Sequence, residues 1–341
     1  MRTINWSDNG HIILTDQTKL PKECATIECN DVDTLAEAIR SLRVRGAPAL
    51  GVAGGFGIAL AAQTSRARSQ RDLIRDIEHA AEVLRNTRPT AVNLFWGIER
   101  VLKKTKTGRS VHQMKELALE EARKMADEDV EICKRIGEHG AKLLEDGDVI
   151  MTYCNAGRMA CVDWGTAIGV IRSAIGQGKR IKVIACETRP LNQGSRITAW
   201  ELLQDDVQVI LITDNMVGHV VKSGMADKII VGADRIVEDA VFNKIGTYTL
   251  SIIAKEHKIP FYVAAPMSTF DFEKRAADIE IEERSPQELK YFGDEQIAPL
   301  EVEVYNPAFD ATPMENITAI ITENGVFHPP FSFKDIRGKE S

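Results

Sequence analysis

Five short β-branched runs in this chain each stop at polar or reactive residues. The runs are Val149 to Cys154, Ile181 to Cys186, Val207 to Thr213, Lys228 to Val231 and Phe261 to Ala264. They lead into Cys154-Asn155-Ala156-Gly157, Glu187-Thr188-Arg189-Pro190, Asp214-Asn215-Met216, Gly232-Ala233-Asp234-Arg235 and Ala265-Pro266-Met267-Ser268. A thiol, several carboxylates and an amide therefore fall where buried runs end, and such groups exchange protons or stabilise charge. In an open parallel sheet those positions face the ligand crevice. Any single member could equally cap a helix or turn the chain; the set as a whole points to a cleft.

Arginine beside proline recurs three times, at Arg45-Gly46-Ala47-Pro48, Arg88-Pro89-Thr90 and Arg189-Pro190. Proline favours the first turn of a helix, where free N–H groups and the positive dipole end attract anions. An adjacent arginine can add a bidentate phosphate grip. One instance would be an ordinary helix start with a solvated arginine, but three in a chain without a basic patch favour a small phosphorylated ligand. Gly51 to Gly57 does not open from a strand as a GxGxxG loop would, so no dinucleotide fingerprint is read there.

The elements that would position these residues form two groups. From Asp148 onward, strands alternating with helical stretches predict an α/β fold: a Rossmann-like, doubly wound parallel sheet with right-handed crossovers, covered on both faces. Before it, a smaller and mainly helical domain should open with a β hairpin near Met1 to Asp16, turned by Asn9-Gly10. Helical spacing marks 34–43, 48–64, 71–86 and 90–103. Lys103 to Ser110 reads as a linker, followed by a long amphipathic helix at about Gln113 to Leu144. The domains expected are therefore 1–110 and 111–341.

Bulk properties narrow the function. Against 50 acidic residues the chain has 43 Lys and Arg, a net charge of −7. The basic residues are scattered, which removes the main electrostatic support for nucleic-acid binding. The apolar stretch Ala47 to Ala62 contains four glycines and falls short of a bilayer span, so a buried helix is expected and no membrane. The N-terminus lacks a signal core, and a cytoplasmic protein is expected. Six cysteines without a CxxC pair read as reduced thiols, and seven dispersed histidines offer no zinc spacing; neither metal nor cofactor is expected. Cys161 and Cys186 read as packing thiols, His219 as structural or exposed, and Trp164, Trp200 and Tyr248 as core rings, one of which could meet an apolar part of the ligand.

Longer motifs carry a resemblance. They are Asp16 to Pro21, Arg45 to Ala49, Arg88 to Leu94, Thr152 to Gly157, Glu187 to Pro190, Gln193-Gly194, Thr213 to Met216, Val231 to Ile236, Asn243 to Tyr248 and Ile281 to Arg284. In this order, over nearly the whole chain, the sequence resembles the methylthioribose-1-phosphate isomerase family, related in fold to the regulatory subunits of the translation-initiation nucleotide-exchange factor. The resemblance implies that Cys154 and Asp234 are the catalytic pair, and that Arg45, Gly46, Ala47, Arg88, Gln193, Asn243 and Lys244 hold the substrate. It also implies a small-molecule sugar phosphate as partner and a homodimer. The chain departs from the family pattern at Arg158-Met159-Ala160-Cys161, which adds a charge near the pocket, and at Glu238-Asp239-Ala240-Val241, which replaces an Asn-Gly-Asp type of turn.

The implied chemistry is an aldose-to-ketose conversion of 5-methylthioribose 1-phosphate within methionine salvage. The phosphate occupies the anomeric oxygen, so the ring must be opened actively. Asp234 would act as general acid on the ring oxygen, a role suited to a carboxyl whose pKa is raised by burial. Cys154 would serve as base in an enediolate route or stabilise a hydride shift in an apolar pocket. The alternatives at these positions are a small buried hydrophobe for Cys154 and a helix cap for Asp234. At the level of function they are an isomerase of ribose 1,5-bisphosphate or 5-deoxyribose 1-phosphate, or a noncatalytic regulatory subunit of a translation factor.

Overall fold

The computed structural model describes residues 2–338. Met1, the expected start of the hairpin, and 339–341, the end of the second expected domain, lie outside the described residues. The chain opens with an antiparallel sheet of β1 (Ile4–Trp6), β2 (Ile12–Thr15) and β3 (Thr26–Cys29). Gly10 turns the β1–β2 hairpin at φ +82 and donates its N–H to the Ser7 carbonyl, a left-handed position that glycine takes without steric cost. The strand β3 is additional to the expected hairpin.

Five helices follow: α1 (Val32–Arg40), α2 (Ala47–Thr64), α3 (Gln70–Arg85), α4 (Val92–Thr105) and α5 (Val111–Ala141). Short oxygen-bearing side chains start three of them: Asp31, Ser69 and Ser110 accept the N–H of Thr34, Asp72 and Gln113. Helix α2 is apolar on every side, long and apolar enough to cross a membrane by composition, and 78% buried among the others. A helix hydrophobic all round belongs in a core. Its glycine-rich surface lets α4 approach until the backbones touch: a Cβ on Gly97 would overlap the Gly51 carbonyl oxygen. Gly97→Ala is therefore expected to cost roughly 2–3 kcal/mol through backbone displacement in a packed interior, which a urea unfolding midpoint would register.

Helix α5 joins the two halves. Ala126 packs in the helical core and Ile136 in the core beneath the main sheet. That sheet is built from β4 (Val149–Thr152), β5 (Lys182–Cys186), β6 (Val209–Ile212), β7 (Lys228–Val231), β10 (Phe261–Ala264), β14 (Ala319–Thr322) and β15 (Gly325–Phe327), in the order β15-β14-β10-β7-β4-β5-β6. All neighbours are parallel except β14 and β15. Helices α6 (Ala167–Gly176) and α7 (Ala199–Gln204) join α5 on one face, and α8 (Val217–Lys222) and α9 (Thr247–Glu256) cover the other. Doubly wound parallel architecture is thus observed, with an antiparallel edge strand.

From β4 the chain winds outward through β5 and β6, then returns to β7 on the other side of β4 and continues to β10 and β14. The order reverses between β4 and β7, the place where such sheets open a crevice beyond their carboxyl ends. Over that crevice lies a second antiparallel sheet absent from the sequence expectation: β8 (Arg235–Val237), β9 (Ala240–Lys244) and β13 (Phe309–Pro313). The departure at Glu238-Asp239 is its two-residue hairpin turn, since Val237 pairs with Ala240. A short hairpin of β11 (Tyr291–Phe292) and β12 (Glu295–Gln296) lies between β10 and β13 in the chain.

Candidate active site

Cys154 follows β4 and Asp234 follows β7, so the two side chains flank the switch point and line the same cleft. Cys154 sits at φ +62 and Thr188 at φ +67, left-handed conformations that are uncommon outside glycine. The two strained loops hold one another. The Cys154 N–H donates to Thr188 Oγ1 at 2.9 Å, and Thr198 Oγ1 donates to the Cys154 carbonyl at 2.7 Å. This clamp fixes Cys154 where it lines the cleft while packing against the core of the main sheet.

All nine residues expected at the site line this one cleft. Arg45 is buried and its guanidinium donates to the Asn155 carbonyl at 3.1 Å and to the Asn155 side-chain oxygen. Gly46, at φ +97, starts α2, and a Cβ there would overlap the backbone of Ala160. Only glycine lets the chain turn there while bringing the first-turn backbone of α2, at Ala47, to the cleft wall. Asn243 and Lys244 come from β9, where Lys244 Nζ donates to the Ala308 carbonyl at 2.9 Å and lies 4.8 Å from the centre of the Phe309 ring. Arg88 is held by Glu282 at 3.0 Å.

Four buried polar groups of the cleft have no hydrogen-bond partner among the described residues: Arg45 Nε, Arg88 Nε, Gln193 Oε1 and Asn243 Nδ2. Buried polar groups are almost always satisfied, so four in one cleft mark a site built for a polar ligand. Electrostatics agree. Burial pushes the Cys154 thiol and the Asp234 carboxyl up, although Arg45 and Lys244 oppose both shifts. Burial also pushes the Lys244 ammonium down, against the pull of Cys154 and Asp234. Burial thus shifts the acid and the thiol toward their neutral forms beside the Arg45 and Arg88 guanidiniums, an arrangement that suits proton transfer next to a bound anion.

Several sequence expectations are corrected. Only Arg45 stands at a helix opening. Arg88-Pro89-Thr90 forms a turn before α4, whose N-cap is Ala91. Arg189-Pro190 forms a turn before a single π turn at Gly194–Thr198, and Arg189 lies over the Phe292 ring outside the cleft. Proline there serves a turn rather than a first helical turn. Asp214 is also absent from the lining, because its carboxylate accepts the N–H groups of Thr188 and Arg189 at 2.8 and 2.7 Å. Tyr248 is 40% exposed and so is no core ring. Cys161 and Cys186 are buried and His219 is exposed, as expected, while Cys161 also reaches the cleft wall.

Sequence reasoning placed Asn155 at a strand end facing the crevice without giving it a role, and missed Arg284 and Phe309 in the lining. Arg284 pairs with Glu282 at 2.9 Å, so the same carboxylate steadies Arg88 and Arg284. The motif Ile281-Glu282-Glu283-Arg284 was visible, but its contact with a residue 194 positions away was not.

Residues 43–329 match the model of the initiation factor 2 subunit family. The chain belongs to that family. A solved structure of 5-methylthioribose 1-phosphate isomerase from Pyrococcus horikoshii shares 45% identity, with 99% of this chain and 95% of that one covered and a TM-score of 0.92. The methylthioribose-1-phosphate isomerase of Thermotoga maritima is 49% identical over 332 residues, 97% of this chain and 96% of its own. A solved structure of the translation initiation factor eIF-2B, subunit delta, from A. fulgidus is 62% identical, with a TM-score of 0.88 and coverage of 97% of this chain and 96% of that one. Within the family, the full-length likeness to members named as isomerases makes the chain an isomerase.

Proposed function

We propose that this chain converts 5-methylthioribose 1-phosphate into 5-methylthioribulose 1-phosphate, the aldose-to-ketose step of methionine salvage. One arrangement carries the reading: a thiol and a carboxyl flank the switch point in a cleft that also holds Arg45, Arg88 and Lys244 and the unpartnered Gln193 Oε1 and Asn243 Nδ2. Arg45 and the start of α2 hold the phosphate, with Arg88, Gln193, Asn243 and Lys244 on the sugar phosphate around it. The neutral Asp234 carboxyl gives its proton to the ring oxygen as the C1–O bond breaks, leaving an electron-poor C1 that carries the phosphate. The hydrogen on C2 moves to C1 with its electron pair, and the C2 hydroxyl proton returns to Asp234. The product is a ketone at C2, and the carboxyl is restored.

A thiol pushed up by burial is a poor base at neutral pH. This supports the hydride route, with Cys154 contributing a polarisable, water-poor wall beside the migrating hydrogen. Turnover in D2O should then leave protium at C1 of the product by NMR, whereas deuterium at C1 would require the enediolate route.

An adjoining cleft shares Gly46, Ala47, Arg88, Asp234 and Phe309 with the first and is walled by Leu50, Pro89, Ala91, Val92, Phe242 and Ile281. These apolar side chains support a methylthio group at C5, while Arg235, Lys274, Asp278 and Glu280 make the rest of the wall charged, so the substrate comparison below decides between a methylthio group and a second phosphate. The A. fulgidus relative, described as an eIF-2B subunit, favours a second reading, a noncatalytic translation-factor subunit. Incubation with 5-methylthioribose 1-phosphate, ribose 1,5-bisphosphate and 5-deoxyribose 1-phosphate, followed by NMR, separates these. Ketose from the first substrate supports the proposal, faster turnover of another reassigns the substrate, and no turnover of any leaves the subunit reading.

The same proposal includes a cytosolic location and a homodimer. Leu203, Ile210, Leu211 and Met216 are each more than 40% exposed around the edge strand β6, an apolar strip that a second copy could cover. Light scattering on the eluting protein should give a mass of two chains.

A further inference from the structure

Glu201, in α7, is fully buried, and no step of the proposed reaction uses it. Each of its oxygens accepts two hydrogen bonds. Oε1 takes the Asn155 side-chain amide at 2.9 Å and the Met159 N–H at 3.1 Å; Oε2 takes the Arg158 N–H and the Arg172 guanidinium, both at 2.9 Å. Gly157 carries no Cβ because one would overlap this carboxylate. Burial opposes ionisation here, but Arg172 and the hydrogen bonds outweigh it and hold the carboxyl below its ordinary range. The result is a fixed buried anion beneath the floor of the cleft.

What that anion does follows from the chemistry of an amide. Asn155 has a donor end and an acceptor end. Its donor end is held by Glu201 and by Thr198 Oγ1 at 3.1 Å, which leaves only its oxygen to face Arg45. Thr198 in turn holds the Cys154 carbonyl. We propose that Glu201 is a positioning residue for phosphate binding, which fixes the polarity of the Asn155 amide and thereby the direction of the Arg45 guanidinium. The inference rests on the reading of Arg45 as a phosphate-holding group.

Glu201→Gln tests it, since a glutamine has one accepting end and cannot hold all four donors. Asn155 loses its fixed polarity and Arg45 its aim. KM for the turned-over sugar phosphate should rise roughly tenfold or more, the range for one misdirected charge-assisted hydrogen bond, with kcat within about threefold. The dissociation constant of inorganic phosphate, followed by 31P NMR, should rise in parallel, and this readout stands whichever sugar is the substrate. Two further variants separate aiming from mere support. Asp205→Asn loosens the bonds to Arg158 and Arg172, at 2.8 and 2.7 Å, without touching Asn155. It should lower Tm and leave KM and phosphate affinity unchanged. Asn155→Asp combined with Glu201→Gln gives Arg45 an acceptor that needs no orientation, and should restore phosphate affinity to within about threefold of wild type.

Wild-type phosphate affinity in Glu201→Gln, an equal loss in Asp205→Asn, or no recovery in the double variant would each overturn the proposal. If Glu201→Gln does not fold, Asn155→Asp alone sets two carboxylates against each other and should bind phosphate more weakly than the double variant; the opposite ranking overturns it. Failure of the sugar substrates with wild-type protein would instead count against the proposed function.

Discussion

Cys154→Ser and Asp234→Asn should each lower kcat by about 10²–10⁴-fold, the usual worth of a positioned proton-transfer group or of a reactive side chain at the transition state. KM should change far less, because Arg45, Arg88, Asn243 and Lys244 remain in place to hold the ligand. Both substitutions are nearly isosteric, and neither side chain is wholly enclosed by a hydrophobic core: each is partly open to the cleft. Melting temperatures close to wild type are therefore expected, which steady-state kinetics beside thermal unfolding would establish. The two variants should differ in character. The amide introduced by Asp234→Asn cannot deliver a proton to the ring oxygen, so the residual rate of that variant should lose the pH dependence set by the Asp234 carboxyl. Cys154→Ser keeps a small polar group at the same strained backbone position and should retain that dependence. Near wild-type turnover in either variant would remove the role given to that residue.

The second large effect concerns stability. Burial pushes the Asp129 carboxyl in α5 up to about 7, although a hydrogen bond from the Val162 N–H at 2.7 Å opposes the shift. In the unfolded chain the same group ionises near its ordinary 3.8. Between these two values the folded state binds more protons, so stability falls as pH rises and levels off once the folded carboxyl is itself ionised. The neutral amide of an Asp129→Asn variant can still accept from Val162 and carries no such burden. Asp129→Asn should thus become the more stable protein as pH climbs from about 4 to 7, with an advantage reaching up to about 4 kcal/mol above that range at 1.36 kcal/mol per unit. Urea unfolding at pH 5 and pH 8.5 reads it directly. An unchanged gap between the two pH values would show that the carboxyl does not titrate in this window.

Both expectations draw on positions that the sequence reveals unequally. Cys154 and Asp234 stand out because each directly follows a β-branched run, a pattern of neighbours along the chain. Asp129 does not stand out, since it lies on a helix rich in exposed acids and only packing against the Cys161-Val162 segment buries it. Glu201 is hidden for the same reason: it is one acid in a short helix until Asn155, Arg158, Met159 and Arg172 converge on it.

The first five helices and five of the six parallel strands were legible because apolar periodicity and caps act over a few residues, as Asp31, Ser69 and Ser110 illustrate, whereas β14 at Ala319–Thr322 was not read as a strand. The sheet of β8, β9 and β13 was not legible either. Its strands are three to five residues long, and β13 pairs with β9 from more than 60 residues away, through Asp310 opposite Asn243. Arg189 shows the opposite failure: its local pattern matched that of Arg45, but the chain turns it toward Phe292 and another surface. By itself, then, the sequence determined which segments alternate and which reactive residues end them, since those are local properties of side-chain volume and backbone preference. Only the tertiary structure decided which of those ends meet, because the reversal of strand order between β4 and β7 brings together residues with no relation along the chain.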